Sequence, residues 1–346
     1  MRRETEMHRG AIIGLGKIAL TGHLPAYLDS RISSRAKIVA AVEIEQKGRE
    51  NAAGLMPDIP VYATLRELLE HEKVDFIDIC TPPSFHPEAL EVGLENGLHL
   101  ICEKPLSSSV EEARRTAERL KERLDLVFMA CHQYRYSPVW RRFKEFIEKD
   151  SESARYLVQF DVFRTQADPG VFASHPNWRT ERSMSGGGIL ADTGLHYIYL
   201  SSWMLGIPRS VTARSQNLTY REIGVEDTAL VWLDFESGVA AITLTWGADR
   251  RANSARLACR SGSLVYDGRT IEKHIGREKE TILVPDASDK SHYVSLYVSL
   301  FEEFVQRIDL KQTSRDEVDG ACRAVEILHA AYESSRTGRS VPLGTV

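Results

Sequence analysis

The sequence predicts an α/β protein in two parts. A doubly wound parallel sheet comes first, and an α+β part with a large, open and mostly antiparallel sheet follows. Two observations predict this. Up to about Gln133, short apolar segments alternate with helix-compatible segments, as in successive βαβ units. From Ala154 onward, segments of alternating apolar and polar residues dominate. We therefore expect two domains, residues 1–135 and residues 136–346.

The strands of the first domain are short apolar runs bounded by turn residues, which is typical of buried parallel strands. They are expected at residues 10–13, 37–42, 74–80, 98–102 and 126–130. Helices are expected between or after them at residues 65–72, 87–96, 110–123 and 138–150. Ligands of such sheets bind beyond the carboxyl ends of the strands, so the residues after each strand are the first candidates for a site.

A glycine pattern follows the first strand. Gly14, Leu15, Gly16, Lys17 and Ile18, closed by a small alanine, form a G-x-G-x-x-A motif between a strand and a helix-compatible segment. The glycines allow a tight turn and a close approach to a diphosphate, and the next helix offers its N-terminus to the phosphates. The motif predicts a Rossmann-type dinucleotide site that includes these five residues.

Glu43 ends the second predicted strand. A carboxylate there can accept hydrogen bonds from the adenosine ribose and would repel the 2′-phosphate of NADP. We therefore expect NAD in preference to NADP. The alternative is a solvated glutamate, since other charged residues follow it.

Two loops after later strands carry further candidates. Thr81, Pro82 and Pro83 follow the strand at 74–80, with His86 shortly after, and prolines stiffen such a loop. Glu103-Lys104-Pro105 follows the strand at 98–102 and brings a lysine to the carboxyl edge of the sheet. A rigid connection and a surface lysine are the respective alternatives.

The second half contains a fourth motif, GGGILADTGLH at residues 186–196, preceded by Trp178 and Arg179. Asp192 and His196 are spaced i, i+4 and are expected on one helical face. A capping aspartate and a core histidine are the alternative. Arg179 could hold a substrate hydroxyl, a carboxylate or the cofactor, or could only support the glycine turn. His132 could face the cofactor or stand behind it.

In this order, the four motifs resemble the glucose–fructose oxidoreductase, inositol dehydrogenase and rhizopine catabolism (Gfo/Idh/MocA) family of NAD(P)-dependent enzymes, over residues 9–343. The resemblance implies hydride transfer between nicotinamide and a secondary alcohol carbon of a sugar, amino sugar or cyclitol. It makes Lys104, Asp192 and His196 catalytic and leaves open whether Lys104 or His196 is the base. The residues expected at the substrate are Lys104, His132, Arg179, Asp192 and His196. The residues expected at the cofactor beyond the glycine motif and Glu43 are Thr81, Pro82, Pro83, His86, Glu103 and Lys104.

Two other functions remain open at this point. A nucleotide-sensing regulator of the same fold would be expected to lack the lysine or the histidine, and this chain has both. The second is a glycosidase that uses tightly held NAD in a transient oxidation that lets a glycosidic bond be eliminated. Net NADH formation separates a dehydrogenase from both.

The second domain is expected to contain strands at residues 156–165, 210–216, 227–235, 239–246, 255–261 and 263–266, and helices at 293–307 and 316–335. So many strands with few helices leave one sheet face to be covered. The family uses that face for subunit association, so a homodimer or homotetramer is expected. Trp232 and Trp246 are candidates for burial there.

Composition narrows the remaining possibilities. A net charge of −5 argues against a nucleic-acid-binding surface, and no apolar run reaches the ~20 residues of a membrane span. The first nine residues are polar and charged, so no signal peptide is expected. Five cysteines, an odd number and widely spaced, indicate a reducing, cytoplasmic location. The histidines lack the spacing of a zinc site, so no metal is expected.

Overall fold

The computed structural model describes residues 7–150, 155–168, 177–287 and 289–344. These residues form two compact units, each with its own sheet. The first comprises residues 7–133, 177 and 293–323, and the second comprises residues 134–150, 155–168, 178–287, 289–292 and 324–344. The units are therefore discontinuous in sequence, and the predicted domain boundary after residue 135 stays a prediction.

The strands and helices of the described residues run in the following order. The strands are β1 (His8–Ile13), β2 (Ala36–Val42), β3 (Val61–Tyr62), β4 (Phe76–Ile79), β5 (His99–Cys102), β6 (Phe128–Ala130), β7 (Tyr156–Phe163), β8 (Pro208–Gln216), β9 (Thr228–Phe235), β10 (Gly238–Thr245), β11 (Ala252–Ala258), β12 (Ser263–Tyr266), β13 (Thr270–Ile275), β14 (Glu278–Leu283) and β15 (Val341–Pro342). The helices are α1 (Leu24–Tyr27), α2 (Ser30–Ser33), α3 (Gln46–Leu55), α4 (Leu65–His71), α5 (His86–Glu95), α6 (Val110–Glu122), α7 (Pro138–Lys149), α8 (Arg182–Ser185), α9 (Leu195–Leu205), α10 (Tyr293–Leu310) and α11 (Arg315–Thr337).

The first unit contains a six-stranded sheet in the order β3-β2-β1-β4-β5-β6, and every pair in it is parallel. This is the strand order of a dinucleotide-binding Rossmann fold, so the predicted fold class is confirmed. All four residues of β4 are buried, as expected for a central parallel strand. One of them is Asp78, a charged residue that needs partners inside the core.

Local sequence explains the helix boundaries in this unit. The Thr64 side chain accepts a hydrogen bond from the Glu67 N–H before α4, and Ser109 accepts one from the Glu112 N–H before α6. Both are N-caps of the preferred type. A π-helical turn, Ala19–His23, directly precedes α1, and such turns occur frequently at functional sites.

The second unit contains a nine-stranded sheet in the order β14-β13-β12-β11-β7-β10-β9-β8-β15. Only the β7–β10 pair is parallel among the pairs described. Residues alternate between buried and more exposed along β7 and β10, so one face carries the core. Tyr197 of α9 packs there against Trp140 of α7 and Phe160 of β7, with ring centroids 6.0 and 5.1 Å away respectively.

The two tryptophans predicted on the open face of the sheet differ in their exposure to solvent. Trp232 of β9 is 42% exposed, whereas Trp246 is 1% exposed. The assignment of Trp246 was wrong, because it continues the alternation of β10 on the core side, after the buried Leu244. The β13–β14 hairpin was also not predicted, since its strands contain few apolar residues.

Among the described residues, no helix is both long enough and apolar enough to cross a membrane.

Candidate active site

The glycine loop of the first unit follows β1 directly. Gly14 has a φ of +90°, which favours glycine, and its N–H donates to the Val42 carbonyl at 2.8 Å. A Cβ on Gly14 would lie 3.1 Å from the Thr81 nitrogen, whereas one on Gly16 would meet nothing within 4 Å. A helical segment, residues 17–27, begins immediately after the loop. Open space beside a helix N-terminus suits a diphosphate.

Glu43 follows β2, and its side chain folds back on the glycine loop. Its Oε2 accepts the Leu15 N–H at 3.0 Å and its Oε1 accepts the Glu45 N–H at 3.0 Å. Gly48 makes room for this side chain, because a Cβ there would lie 2.7 Å from the Glu43 Cγ. Each carboxylate oxygen has two lone pairs. Glu43 can therefore hold the loop and still accept hydrogen bonds from ribose hydroxyls.

His86 supports the Thr81 loop from inside. Its Nδ1 lies 2.7 Å from the Pro105 carbonyl oxygen and its Nε2 lies 2.8 Å from the Thr81 carbonyl oxygen. Burial lowers the pKa of His86, and the two carbonyls oppose that shift. The fully buried ring thus lies between the loop of residues 81–83, called the Thr81 loop, and Glu103-Lys104-Pro105, called the E-K-P segment, and contacts a carbonyl of each. The Thr81 Oγ1 is buried with no hydrogen-bond partner among the described residues, which fits a loop that receives a polar ligand.

Lys104 follows β5 and is partly exposed, and its peptide bond to Pro105 is cis. Its backbone N–H donates to the Glu103 Oε2 at 3.1 Å. The Glu103 Oε1 accepts the Tyr297 hydroxyl at 2.5 Å and lies 3.1 Å from the His23 Nε2. Burial raises the pKa of Glu103, but His23, together with the charge of Lys104 and the hydrogen bond from Tyr297, outweighs burial and lowers it. An ionised Glu103 therefore holds the backbone at Lys104.

In the second unit, three glycines carry the chain from α8 into the next helical segment. Gly186 ends α8 with a φ of +80°. A Cβ on Gly187 would lie 1.8 Å from the Tyr332 hydroxyl oxygen, and one on Gly188 would lie 1.9 Å from the Glu226 carbonyl oxygen. The close approach of these two neighbours explains the glycine run.

The Glu226 carboxylate holds this turn. It accepts the Gly188 N–H at 3.0 Å and the Leu190 N–H at 3.1 Å. The Tyr332 hydroxyl donates to it at 2.8 Å. These contacts fix the start of a π-helical turn, Leu190–Gly194, which continues into α9.

Asp192 lies in that π-helical turn. Its Oδ1 accepts the Arg179 Nε at 3.2 Å and its Oδ2 accepts the Thr193 hydroxyl at 3.1 Å. The Arg179 guanidinium lies over the Trp178 ring, 4.3 Å from its centroid. The predicted site residues Arg179 and Asp192 are thus in contact.

His196 lies in the first turn of α9, and its ring stacks on Tyr134 at 4.2 Å between centroids and 12° between planes. This stack fixes the orientation of a buried imidazole. Asp192 lies in the π-helical turn that ends at Gly194, and His196 lies in the α-helix that continues from it, so the expectation that the two share one helical face stays a prediction. Gly194 lets this helical segment pack closely on β10, because a Cβ at residue 194 would lie 2.9 Å from the Leu244 Cδ1. His132 is buried in the first unit, and its role stays a prediction.

Several supporting residues were missed by sequence reasoning. Glu226 and Tyr332 hold the glycine turn, and His23 and Tyr297 contact Glu103. One signal was available: Asp78 interrupts an apolar strand, and a buried carboxylate requires a partner. Its partner, His23, is 55 positions away, and nothing in the local sequence marks the pair.

The glycine loop, Glu43 and the lysine at the carboxyl edge of a Rossmann sheet define a class of protein, the nicotinamide-dinucleotide-dependent oxidoreductases. Residues 8–131 match the model of the GFO/IDH/MocA oxidoreductase family, described as an NAD-binding Rossmann fold. Residues 140–265 match the GFO/IDH/MocA C-terminal domain. Together the two matches span more than half of the chain. The chain belongs to the Gfo/Idh/MocA oxidoreductase family, as the sequence motifs predicted.

Two relatives of nearly the same length are dehydrogenases by name. The chain is 23% identical to D-glucoside 3-dehydrogenase of Escherichia coli, with 97% of each chain covered. It is also 23% identical to scyllo-inositol 2-dehydrogenase (NADP(+)) of Bacillus subtilis, with 99% of this chain and 98% of the relative covered. The solved structure of levoglucosan dehydrogenase in complex with NADH and levoglucosan superposes with a TM-score of 0.84 at 18% identity, covering 98% and 100% of the two chains. At that identity the superposition supports the fold.

Proposed function

We propose that this chain is an NAD-dependent dehydrogenase that moves a hydride between the nicotinamide and a secondary alcohol carbon of a sugar, amino sugar or cyclitol. The observation that carries the proposal is Lys104, whose backbone is held by the buried Glu103 at the carboxyl edge of a Rossmann sheet. The names of the relatives, which act on glucosides and inositols, support this substrate class.

The residues of the first unit fit a bound dinucleotide. The loop from Gly14 to Ile18 would hold the diphosphate, Glu43 the adenosine ribose, and the Thr81-Pro82-Pro83 loop the nicotinamide side. His86, buried in the core, would support the Thr81 loop through its contact with the Thr81 carbonyl. When bound, NAD would supply the acceptor for the hydride. We assign NAD in preference to NADP because a carboxylate near the ribose repels a 2′-phosphate.

The chemistry needs an acceptor for the hydroxyl proton and a donor for the reacting oxygen. We assign His196 as the proton acceptor, because imidazole titrates near neutral pH. Lys104 would hold the reacting oxygen and could share the proton. Asp192, oriented by Arg179, would accept a hydrogen bond from a substrate hydroxyl. This assignment requires Lys104, Asp192 and His196 to meet one substrate.

The test is net NADH formation, followed by its absorbance, with a panel of inositols, aldoses, amino sugars and nucleotide sugars. Lys104→Met and His196→Ala should each keep NAD binding and lose ~10²–10⁴ in kcat. Lys73→Met, at an exposed lysine of the same unit, is the matched control and should turn over normally. No net NADH with any substrate would instead favour a sensor or a redox-neutral glycosidase.

The cofactor assignment has its own test. Titration of both nucleotides against the purified protein should give tighter binding of NAD than of NADP, and Glu43→Ala should narrow the difference. Tighter binding of NADP by the wild type would contradict the assignment.

We also propose that the chain forms a homodimer or homotetramer through the open face of the nine-stranded sheet. Large apolar side chains on that face are exposed in the single chain, among them Leu157, Phe163, Leu230 and Trp232. An exposed apolar patch of this kind marks an association site, and soluble oligomers close symmetrically. Light scattering should give a multiple of 39.0 kDa. Leu230→Glu should reduce the mass to that of a monomer, whereas Leu28→Glu in the first unit should not.

A cytoplasmic location is proposed on the basis of the cysteines, which are free in the structure.

A further inference from the structure

Behind the E-K-P segment, the core of the first unit contains a group of ionisable residues, of which the proposed function uses only Glu103, as the support of Lys104. We call His23, Asp78, Glu103 and Tyr297 the His23 network. His23, Asp78 and Tyr297 are fully buried and Glu103 is 7% exposed. Buried charge is costly unless it is paired and hydrogen-bonded, so the contacts of this network require an explanation.

His23 lies between two carboxylates. Its Nδ1 is 2.8 Å from the Asp78 Oδ2, and its Nε2 is 3.1 Å from the Glu103 Oε1. An ionised carboxylate only accepts hydrogen bonds. Both ring nitrogens must therefore donate, which requires the imidazolium form. Burial lowers the pKa of His23, but Asp78 and Cys80 together outweigh burial, and the pKa is raised well above its usual value.

Other groups surround the imidazole from every neighbouring element. Cys80 of β4 places its Sγ 3.3 Å from the Nδ1. The Tyr297 ring of α10 lies 4.2 Å away between centroids, and Tyr27 of α1 donates its hydroxyl to the Asp78 Oδ2 at 3.0 Å. Cys131, after β6, has its sulfur within 4.8 Å of the His23 and Glu103 donor atoms. The only charged groups among these are the two carboxylates, so one cation is held between two anions.

Glu103 connects the network to the candidate site. Its Oε1 faces His23 and receives the Tyr297 hydroxyl, whereas its Oε2 receives the Lys104 N–H. Tyr297 is itself fixed, because the Gln133 Nε2 donates to its hydroxyl at 3.0 Å. His23 and Tyr297 thus orient the Glu103 carboxylate through its Oε1, and this orientation places its Oε2 on the Lys104 N–H.

We propose that His23 is a positioning residue for Lys104: by holding one oxygen of Glu103, it keeps the other on the Lys104 backbone and so sets where the lysine side chain begins. The role rests on the proposed function in one respect, that Lys104 holds the reacting oxygen. The hydrogen-bonding role of His23 is separate from that function and can be measured alone.

The main variant is His23→Gln. A neutral amide cannot supply two cationic donors, so Glu103 should be protonated more easily and should release the Lys104 N–H. The matched control is Tyr27→Phe, which removes a hydrogen bond to Asp78 on the other side of His23. The control keeps the ring, which stacks on Phe301 at 4.5 Å.

The first readout does not need turnover. Hydrogen exchange of the peptide that contains Lys104, followed by mass spectrometry, should be at least tenfold faster at Lys104 in His23→Gln and unchanged in Tyr27→Phe. Equal exchange in wild type and His23→Gln would overturn the proposal. This result stands even if the chain oxidises no polyol, so failure of the proposed function and failure of this proposal remain distinguishable.

The second readout is kinetic. In His23→Gln, kcat should fall roughly 10- to 100-fold while NAD affinity stays within twofold, and the acid limb of the kcat–pH profile should move to higher pH because Glu103 protonates more easily. Tyr27→Phe should keep the wild-type profile. A fall in kcat with no shift of the acid limb would mean a general loss of packing and would also overturn the proposal.

If His23→Gln does not fold, the wild type still decides. Proton–nitrogen correlation spectra of the histidine-labelled holoprotein should show His23 doubly protonated above pH ~8, where an ordinary histidine of pKa ~6.5 is neutral. A neutral ring there would overturn the proposal. A stoichiometric metal ion found by elemental analysis and lost in His23→Gln would do the same, since the donor atoms would then be ligands.

Discussion

The E-K-P segment in the first unit and the glycine-rich turn in the second are each held by one buried glutamate. Glu103 is 7% exposed and Glu226 is 5% exposed. Each accepts backbone N–H groups of the segment that carries predicted catalytic residues. Each also accepts the hydroxyl of a tyrosine from a C-terminal helix, Tyr297 in one case and Tyr332 in the other. Both units thus contain a buried glutamate that accepts hydrogen bonds from the backbone of a site segment and from a tyrosine hydroxyl.

The two glutamates differ in what balances their charge. Glu103 faces the buried His23, whereas the nearest guanidinium to Glu226 is that of Arg182, 3.9 Å away and with a side chain 57% exposed. Glu226 instead receives more backbone donors. One segment is therefore held by a buried ion pair, which depends on protonation, and the other mainly by backbone hydrogen bonds. Similar backbone segments are thus held by contacts that differ in their sensitivity to charge and pH.

Charge-neutral replacement of the two glutamates should show this difference most strongly. In Glu103→Gln the new amide group must face either the Lys104 N–H or the His23 and Tyr297 donors, so a donor always meets a donor. We expect a loss of about 3–5 kcal/mol in the free energy of unfolding, the cost of breaking a buried ion pair.

Glu226→Gln should cost only about 1–2 kcal/mol. The donors Leu190, Tyr332 and Gly188 all reach its Oε1, and only the Gly188 N–H is shared with Oε2. The amide can therefore take the place of Oε2 if the Gly188 N–H stays on the remaining oxygen. Urea denaturation of both variants compares them. Equal costs would show that the His23 charge does not distinguish the two sites.

Space around the glycines gives the next comparison. A Cβ on Gly188 would lie 1.9 Å from a backbone oxygen of Glu226, whereas one on Gly16 would meet nothing within 4 Å. Gly188→Ala should therefore lower the free energy of unfolding by about 2–3 kcal/mol. Gly16→Ala should change it by less than about 0.5 kcal/mol.

The same pair separates folding from cofactor binding. Gly16→Ala should weaken NAD binding by roughly tenfold, about 1.4 kcal/mol, because the methyl group would occupy the space proposed for the diphosphate. Calorimetric unfolding and NAD titration measure the two effects. Wild-type affinity in Gly16→Ala would remove the loop from the cofactor site.

How far the sequence could predict these regions depends on whether the signal is local. The strand before Gly14 and the strand before Lys104 are each followed at once by their motif, so the parallel sheet and its carboxyl-edge residues were predictable from short segments. The β13–β14 hairpin was not, because its strands bury little: Ile271 is the buried residue of β13, and β14 has no buried residue. Period-2 patterning signals a strand only where one face is buried.

The supports of the candidate site were harder to predict for a related reason. The Glu103–Tyr297 hydrogen bond joins residues 194 positions apart, and the Tyr332–Glu226 bond joins residues 106 apart. From the sequence alone, a tyrosine in an amphipathic helix is predicted to be a core residue whether or not its hydroxyl has a carboxylate partner. Such pairs are set by tertiary packing, so sequence patterns predicted the segments and not what holds them.

Stability against pH should separate the ion pair from other contacts. The pKa of His23 is raised in the folded state, so its contribution is complete below the unfolded value of ~6.5 and is lost as pH rises through the folded pKa. The pKa of Glu103 is lowered, so its contribution is present above the unfolded value of ~4.3 and is lost as pH falls through the folded pKa.

The stability difference between wild type and His23→Gln should therefore be larger at about pH 6 than at about pH 9. Urea midpoints at the two pH values measure it. Tyr27→Phe is the control, because burial raises the pKa of the Tyr27 hydroxyl well above its usual value and it does not titrate in this range. A difference for His23→Gln that does not depend on pH would mean that the ring is neutral in the folded protein.

The smallest expected effect is a coupling between side chains. Tyr297→Phe and His23→Gln both remove a donor from the same Glu103 oxygen, so their effects on unfolding should be non-additive by about 1 kcal/mol. Tyr332 shares no hydrogen-bond partner with His23 among the contacts of the described residues, so Tyr332→Phe combined with His23→Gln should be additive within about 0.5 kcal/mol. Two double-mutant cycles, measured by urea denaturation at the same pH, compare the pairs. Equal coupling in both cycles would mean that the variants act through a general loosening of the chain, and the two glutamates would then not be independent supports.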